Sequence, residues 1–529
     1  MDHEMLLHTD KHQVLISSVD RVLSFDRATG SISSSHTPQT DHILKNNKGV
    51  HVFGVLGTMQ LSSANYLFVI ADQLKVGTLS THEVHLIKNV DFVNISNKPT
   101  TDADIRYLTL LRRTFTSQGF YYSKTMDLTT HLKAWYLSGR KLNKPDEAFW
   151  WNRHISKSII DAGYQYWVHP IIRGCKLLAL DVVEFHQVNL DHDTFQFGII
   201  SRLGCKRVGT RYNTRGADKL GNVANYVETE QIVHHKNNLL SFLQVRGSIP
   251  LRWTQRTNLK YKPKLVLSTP VENIFQIHIK NQMDRYSKIK IINLINQEGS
   301  ENLIGDKFKA AHQELNHGPD LKYLAFDFHN KTKLTNFDGI LELMNSVKDE
   351  LSDFGYTRIN LDGCVTDKTQ QGVLRVNCID CLDRTNVCES VFGRMVLDEQ
   401  LHHLHIFKDD HQHVKDEPLI EQLFKNVWAD NGDALSNLYA GTNAIKADFT
   451  RTGKRTLRGL INDGINSLRR YYLNNFKDGE KQDGLNLLLG RVVIKDNNEL
   501  SESQKTATQL RFYIGLATIS ALVYCSIKK

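Results

Sequence analysis

The sequence predicts an α+β or α/β fold in two parts. A β-rich N-terminal subdomain, residues 1–170, is expected to pack on an α/β subdomain, residues 171–505, with an apolar tail over residues 506–529. Three observations predict this. Short alternating apolar runs separated by turn residues fill most of positions 11 to 125. A strand, a tight loop and a helix follow one another between Gly372 and Met395. Near the end, Phe512 to Ile527 carries no charged residue.

Composition frames the rest. A chain of 529 residues is long enough for two or three domains with sizeable cores. Its 40% hydrophobic and 23% charged content is ordinary for a globular protein. A net charge of +9 suits an anionic partner, either a lipid surface or a phosphorylated ligand. No nucleic-acid motif accompanies the charge. Seven cysteines without framework spacing fit a reducing compartment. Met1 to His8 has neither the basic start nor the apolar stretch of a signal peptide.

Gln13 to Phe25 reads as strand, Asp26 to Gly30 as a turn, and a further short strand follows. His51 to Gln60, Ala64 to Asp72 and His82 to Phe92 read as more strands. The aromatic segment from Tyr121 to Trp151 is assigned to packing. Residues 202–219 hold a basic cluster that includes Arg211 and Arg215. Both arginines are candidate phosphate contacts, with ion pairing the alternative. Leu321 to His329 reads as a strand ending in Asp327 and His329.

Gly372 to Asn377 is a short strand with Val373, Leu374 and Val376 apolar. Val387, Val391 and Met395 recur at helical spacing, so a helix begins just after the intervening loop. Arg375 to Asn386 reads RVNCIDCLDRTN, which sets Cys378 and Arg384 in a C-x5-R spacing. A loop between a strand and a helix aims backbone N–H groups and the positive helix end at one point, where a phosphate fits. A cysteine there, beside an arginine, has a lowered pKa and becomes a nucleophile. Arg384 is the candidate for holding phosphoryl oxygens, and Thr385 for a hydroxyl hydrogen bond to the thiolate. Asp380 and Asp383 are both candidates for the general acid. Asn377, Ile379, Cys381 and Leu382 complete the loop that would surround the phosphate. Cys381, three residues from Cys378, could also form a reversible disulfide with it.

RVNCIDCLDRTN resembles the signature of the Sac-domain phosphoinositide phosphatases residue for residue. Myotubularin-type lipid phosphatases share C-x-D-x-x-D-R but lack the context of Asn377 and Cys381. The resemblance extends from about residue 10 to 495. It includes the blocks Val208–Gln231, Arg246–Gln255, Gly441–Thr456 and Arg470–Gly490, with departures at Asn213, Thr214 and Arg252. It implies metal-independent removal of a phosphate from the inositol ring of a membrane lipid, without a cofactor. Phosphatidylinositol 4-phosphate is the expected substrate, followed by the 3-phosphate, with the 3,5-bisphosphate a further candidate. The partner would be a phosphoinositide headgroup in an anionic membrane.

Past the loop, His402, His403, His405, His411 and His413 lack zinc-ligand spacing and read as a solvated loop. Pro418 opens a helix. Lys446, Arg451, Lys454 and Arg455 form a second basic cluster and are further candidates for headgroup contact. This stretch is not a Walker loop, because Asp448 and Arg455 stand where Gly and Ser/Thr are required. Phe512 to Ile527 would span about 24 Å as a helix. That is short of a bilayer core of about 30 Å. A buried helix and a membrane anchor are the two readings, and the polar linker before the run favours the anchor. The resembled endoplasmic-reticulum branch carries a C-terminal membrane hairpin, whose second half has no counterpart in this sequence. The expected location is therefore a cytosolic catalytic domain tethered through its C-terminus to the endoplasmic-reticulum or Golgi membrane. Two rivals are a protein tyrosine phosphatase and a non-catalytic lipid-binding scaffold. The first usually has a Gly-rich loop with few acids, and the second typically loses the Cys or the Arg.

Overall fold

The computed structural model describes residues 5–36, 49–117, 119–140, 142, 144–174, 186–190, 193–256, 263–268, 273–332, 338–362, 365–445, 451 and 457–494. The N-terminal half is built from two antiparallel five-stranded sheets. In the first, Met5–Thr9, Gln13–Ser17, Arg21–Asp26 and Ile32–His36 form a meander, with Val50–Val52 on the free side of Met5–Thr9. The turn at Asp26 forms because its carboxylate accepts the N–H groups of Ala28 and Thr29. The second sheet runs Ile172–Arg173, Phe120–Tyr122, His82–Asn94, Asn65–Leu79 and Gly54–Gln60. The run expected as one strand over Gln13 to Phe25 is instead a hairpin of two strands, Gln13–Ser17 and Arg21–Asp26, turned where the Ser18 N–H meets the Arg21 carbonyl at 2.8 Å. The other expected runs are present, and two of them are longer than their apolar alternation indicated.

A nine-stranded mixed sheet forms the second half. His186–Leu190, Asp193–Leu203, Val227–His235 and Asn238–Arg246 are antiparallel. Gly372–Asn377 then lies parallel between Asn238–Arg246 and Lys288–Asn293, which pairs in parallel with Leu321–Ala325. Every residue of Gly372–Asn377 is buried, as expected of a parallel strand covered on both faces. The helix Asp383–His403 follows it, so the strand–loop–helix expected from the sequence is present. The loop sits at the carboxyl ends of the parallel strands, where open α/β sheets bind ligands.

The core of this half gathers Phe195, Phe197, Phe242, Leu374, Val376, Phe392, Val396 and Trp428 from both the sheet and the helices. The helix Pro418–Ala440, opened by its proline as expected, packs alongside Asp383–His403. The helix Asp478–Leu488 turns back onto the N-terminal half. Its Leu485, Leu487 and Leu488 share a cluster with Leu111, Phe115, Phe120 and Trp151.

One element ends earlier than expected. The strand over 321–329 stops at Ala325, and Phe328–Lys331 is a short helix. Asp327 causes this, because its carboxylate accepts the N–H groups of Asn330 and Gln297 and so caps the helix. Asp327 is thus a structural cap. Among the described residues no helix is long and apolar enough to cross a membrane. The tail over 506–529 lies outside the described residues.

Candidate active site

The strand Gly372–Asn377 delivers Cys378 to the mouth of the sheet. Asn377, fully buried, donates its side-chain amide to Asn293 on the neighbouring strand at 2.6 Å. Arg375 is buried two residues earlier. It donates to His278 Nε2 at 3.0 Å, to the Ser248 carbonyl at 2.9 Å and to Asn377 Oδ1 at 3.3 Å. His278 lies against the Gly221 carbonyl through Nδ1 at 2.7 Å. Burial, together with the Arg375 charge, pushes its pKa well down. A neutral ring that donates from Nδ1 and accepts at Nε2 satisfies both contacts. The base of the loop is therefore a closed polar lattice inside a sheet.

The loop itself turns at Cys381, whose φ of +54° is unusual for a residue with a side chain. This turn places the Cys381 N–H 3.2 Å from Cys378 Sγ. The Cys381 thiol donates to the Cys378 carbonyl at 3.2 Å and lies close enough to the Cys378 sulfur for a side-chain hydrogen bond. Asn225 pins the turn from outside through the Asp380 carbonyl at 2.9 Å. Leu382 is the non-helical residue before Asp383, and it packs against Tyr439 and Ala440. Ile379 is half-buried against the cluster of Phe275 and Ile289.

Cys378 is buried. Burial alone would raise its thiol pKa and is the largest single influence. The hydrogen bond from Cys381, the Arg384 charge and the Thr385 hydroxyl outweigh it and bring the thiol well below its usual value. The Thr385 hydroxyl is buried and makes no hydrogen bond of ordinary geometry among the described residues. The Cys381 thiol is pushed well up by burial and by the neighbouring Cys378. The two cysteines of the loop thus have opposite characters.

The two loop aspartates differ as sharply. Asp380 is held by Arg211 at 2.6 and 3.2 Å and by Arg215 at 2.6 Å. Burial works against its charge, but the two guanidinium groups prevail and hold the carboxyl well below the usual carboxylate range. Asp380 is therefore an anion with no proton to give. Arg211 and Arg215, candidates for phosphate contact or for ion pairing, both pair with Asp380. Asp383 accepts the Ile445 N–H at 2.7 Å and lies 3.5 Å from Arg470. Burial raises its pKa and outweighs Arg470 and the Ile445 N–H, while the Cys378 and Asp380 charges add to the rise.

Arg384 is half-buried. It donates to Glu301 at 3.1 and 3.2 Å, to Asn296 Oδ1 at 3.0 Å and to the Leu294 carbonyl at 3.1 Å. Glu301 had not been singled out in the sequence. Arg470, Asn225, Asn293 and His278 had not been assigned to the site either. A buried arginine or asparagine carries no local signal when its partner lies far away in the chain.

In the second basic cluster, Arg451 pairs with Asp430 and with Asp433, the latter at 3.1 Å. Lys446, Lys454 and Arg455 lie outside the described residues. Of the histidines, His402 and His403 belong to the last turn of the loop helix and are not in a loop. His402 meets the Gln412 carbonyl at 2.8 Å, and His413 lies 3.5 Å from Asp398. Among the described residues no group of three or more His, Cys, Asp or Glu could hold a metal ion.

A profile of the SacI homology domain matches residues 53–333, more than half of the chain. The chain belongs to the SacI homology domain family. A zebrafish relative named phosphatidylinositol-3-phosphatase SAC1-B is 38% identical over 462 residues, which cover 84% of this chain and 77% of the relative. The fruit-fly phosphatidylinositol-3-phosphatase SAC1 is 36% identical, covering 92% and 80%. The Arabidopsis phosphoinositide phosphatase SAC6 is 33% identical, covering 90% and 82%. Similarity to these Sac proteins thus spans most of the chain.

Proposed function

We propose that this chain is a phosphoinositide phosphatase that works through a cysteinyl-phosphate. The observation that carries the reading is a buried Cys378 held toward its thiolate by a loop N–H and an arginine at the mouth of a parallel sheet. Such a thiolate attacks phosphorus, and the new S–P bond forms as the bond between phosphorus and the ring oxygen breaks. Asp383 gives that oxygen its proton, since its raised pKa makes it the one loop aspartate able to do so. Water then attacks the phosphoryl group and passes a proton to the Asp383 carboxylate. The S–P bond breaks, inorganic phosphate leaves and the thiolate returns. Arg384 turns from Glu301 to the phosphoryl oxygens during this cycle. Thr385 and the loop backbone from Ile379 to Leu382 surround them. No metal and no cofactor takes part.

Phosphatidylinositol 4-phosphate and the 3-phosphate are the substrates, and phosphatidylinositol is the product. The names of the SAC1 relatives support the 3-phosphate. The net charge of +9 supports an anionic membrane substrate. The apolar run Phe512 to Ile527 supports a C-terminal tether, with the catalytic domain on the cytosolic face of the endoplasmic reticulum or Golgi. Phosphate release from the two lipids is compared with release from a phosphotyrosine peptide. Release from lipid alone is expected, and release from peptide alone would replace this reading with a protein tyrosine phosphatase.

A further inference from the structure

Val208, Gly209 and Thr210 are buried yet belong to neither helix nor strand. Buried backbone groups outside regular structure need other partners. One side chain supplies two of them. Gln482, in the helix Asp478–Leu488, accepts the Thr210 N–H through Oε1 at 3.0 Å and donates from Nε2 to the Val208 carbonyl at 3.4 Å. The amide is fixed in this sense, because Nε2 also donates to Asn486 Oδ1 at 3.1 Å, one turn further along the same helix. The approach is close. A Cβ at Gly209 would lie 2.7 Å from Gln482 Oε1 and would collide with the Thr214 side chain, so only glycine leaves room. The neighbouring Lys481 reaches across to the Leu438 carbonyl at 2.8 Å, near the end of the helix Pro418–Ala440. Next to Leu438 stands Tyr439, whose carbonyl accepts the Arg211 N–H at 3.2 Å.

Arg211 directly follows Thr210, and its guanidinium forks onto Asp380, with Nε on one carboxylate oxygen and the terminal nitrogen on the other. We propose that Gln482 is a positioning residue for the phosphate loop, setting the Arg211 backbone so that the guanidinium meets both oxygens of Asp380. The inference rests on the proposed phosphatase reading and adds the group that holds one wall of its site in place. Gln482 acts through Arg211. Its hydrogen bonds go to Val208, Thr210 and Asn486, and among the described residues none goes to residues 377–386. A long arginine side chain has many rotamers, and it makes a forked contact only when its backbone is held at the right place. Without the Gln482 amide, a buried N–H and a buried carbonyl lose their partner. The stretch then shifts to satisfy them, Arg211 moves with it, and Asp380 is left with Arg215 alone.

The test is a double-mutant cycle of Gln482→Leu and Arg211→Met in the full chain. Two readings are taken: kcat on water-soluble dibutanoyl phosphatidylinositol 4-phosphate, and the fall in unfolding stability from neutral to acid pH. Gln482→Leu alone should lower kcat about tenfold, but less than about twofold once Arg211 is already methionine, because the two residues act as one unit. It should also make stability fall less steeply in acid, as Arg211→Met does. Asp380 is held well below the usual carboxylate range by Arg211 and Arg215, and loosening Arg211 brings its folded pKa nearer the unfolded one. Arg215 stays in every variant. Gln482→Glu keeps an acceptor for the Thr210 N–H and loses only the donor, so its kcat should be intermediate, and it carries the cycle if the leucine variant does not fold. Equal losses of kcat in both backgrounds would overturn the proposal, by showing that Gln482 only supports the fold. An acid dependence left as in wild type would overturn it as well. If wild type releases no phosphate, the phosphatase reading fails, while the acid dependence still decides whether Gln482 holds Arg211 on Asp380.

Discussion

Arg384 forks onto Glu301, placing both terminal guanidinium nitrogens 3.1–3.2 Å from the carboxylate oxygens across 83 residues of sequence. The same guanidinium stabilises the Cys378 thiolate. A phosphate entering the loop must therefore compete with a built-in carboxylate for its arginine. Removing that competitor by Glu301→Gln should tighten inhibition by inorganic phosphate about tenfold, roughly the worth of one charge-assisted hydrogen bond. The turnover number should fall, because Glu301 also positions Arg384. Phosphate inhibition curves and kcat, measured together, check both halves.

The loop aspartates should separate by pH. Asp383 must be protonated to act as an acid, and burial raises its pKa. Activity should then fall as pH rises through that raised value. Arg470 lowers the Asp383 pKa, so Arg470→Gln should move this alkaline limb to higher pH. Asp383→Asn should abolish the limb and lower kcat by about 10²–10⁴. Profiles of kcat against pH for the three proteins give the comparison.

Asp380 should matter for the fold of the loop. Its folded pKa is depressed, so its stabilising contribution is present above the unfolded carboxylate range and is lost as pH falls through the folded value. Arg215→Ala removes one of the two partners of the half-buried Asp380 carboxylate and should cost about 1–3 kcal/mol. Denaturant unfolding at pH 7 measures that cost. The variant's stability should also fall less steeply in acid than that of wild type, because without Arg215 the Asp380 pKa differs less between the folded and unfolded states.

Oxidation should distinguish the two cysteines. Peroxide reacts with the thiolate of Cys378, and the Cys381 side chain is close enough to the Cys378 sulfur to displace water from the resulting sulfenic acid and form a disulfide. Wild type should recover activity with thiol. Cys381→Ser should lose activity irreversibly, because the sulfenic acid then oxidises further. Recovery assays after graded peroxide treatment settle it.

The strand–loop–helix was legible because it is local. Apolar residues at strand and then helix spacing bracket the loop, and turn chemistry fixes the break between them. The β-rich start was legible for the same reason. What escaped was set by distance. Arg211 was visible as a basic residue, but its partner Asp380 stands 169 positions away, so ion pairing and phosphate binding looked alike. Glu301 lies in an ordinary polar stretch, and only the fold brings it to Arg384. Asp327 was misread as a strand end because its apolar neighbours continue past Ala325. The carboxylate caps a helix there, which alternation does not reveal. Arg375 and Asn377 occupy fully buried strand positions, where polar residues are tolerated only because His278, Ser248 and Asn293 complete their hydrogen bonds.

The central claim is a thiolate-based lipid phosphatase, and one assay addresses it directly. Phosphate release from vesicles holding phosphatidylinositol 4-phosphate, with a metal chelator present, is compared for wild type and Cys378→Ser. The account predicts release that survives the chelator and vanishes in the variant while the variant's thermal unfolding stays unchanged. Release that persists in Cys378→Ser, or that the chelator abolishes in wild type, would contradict it.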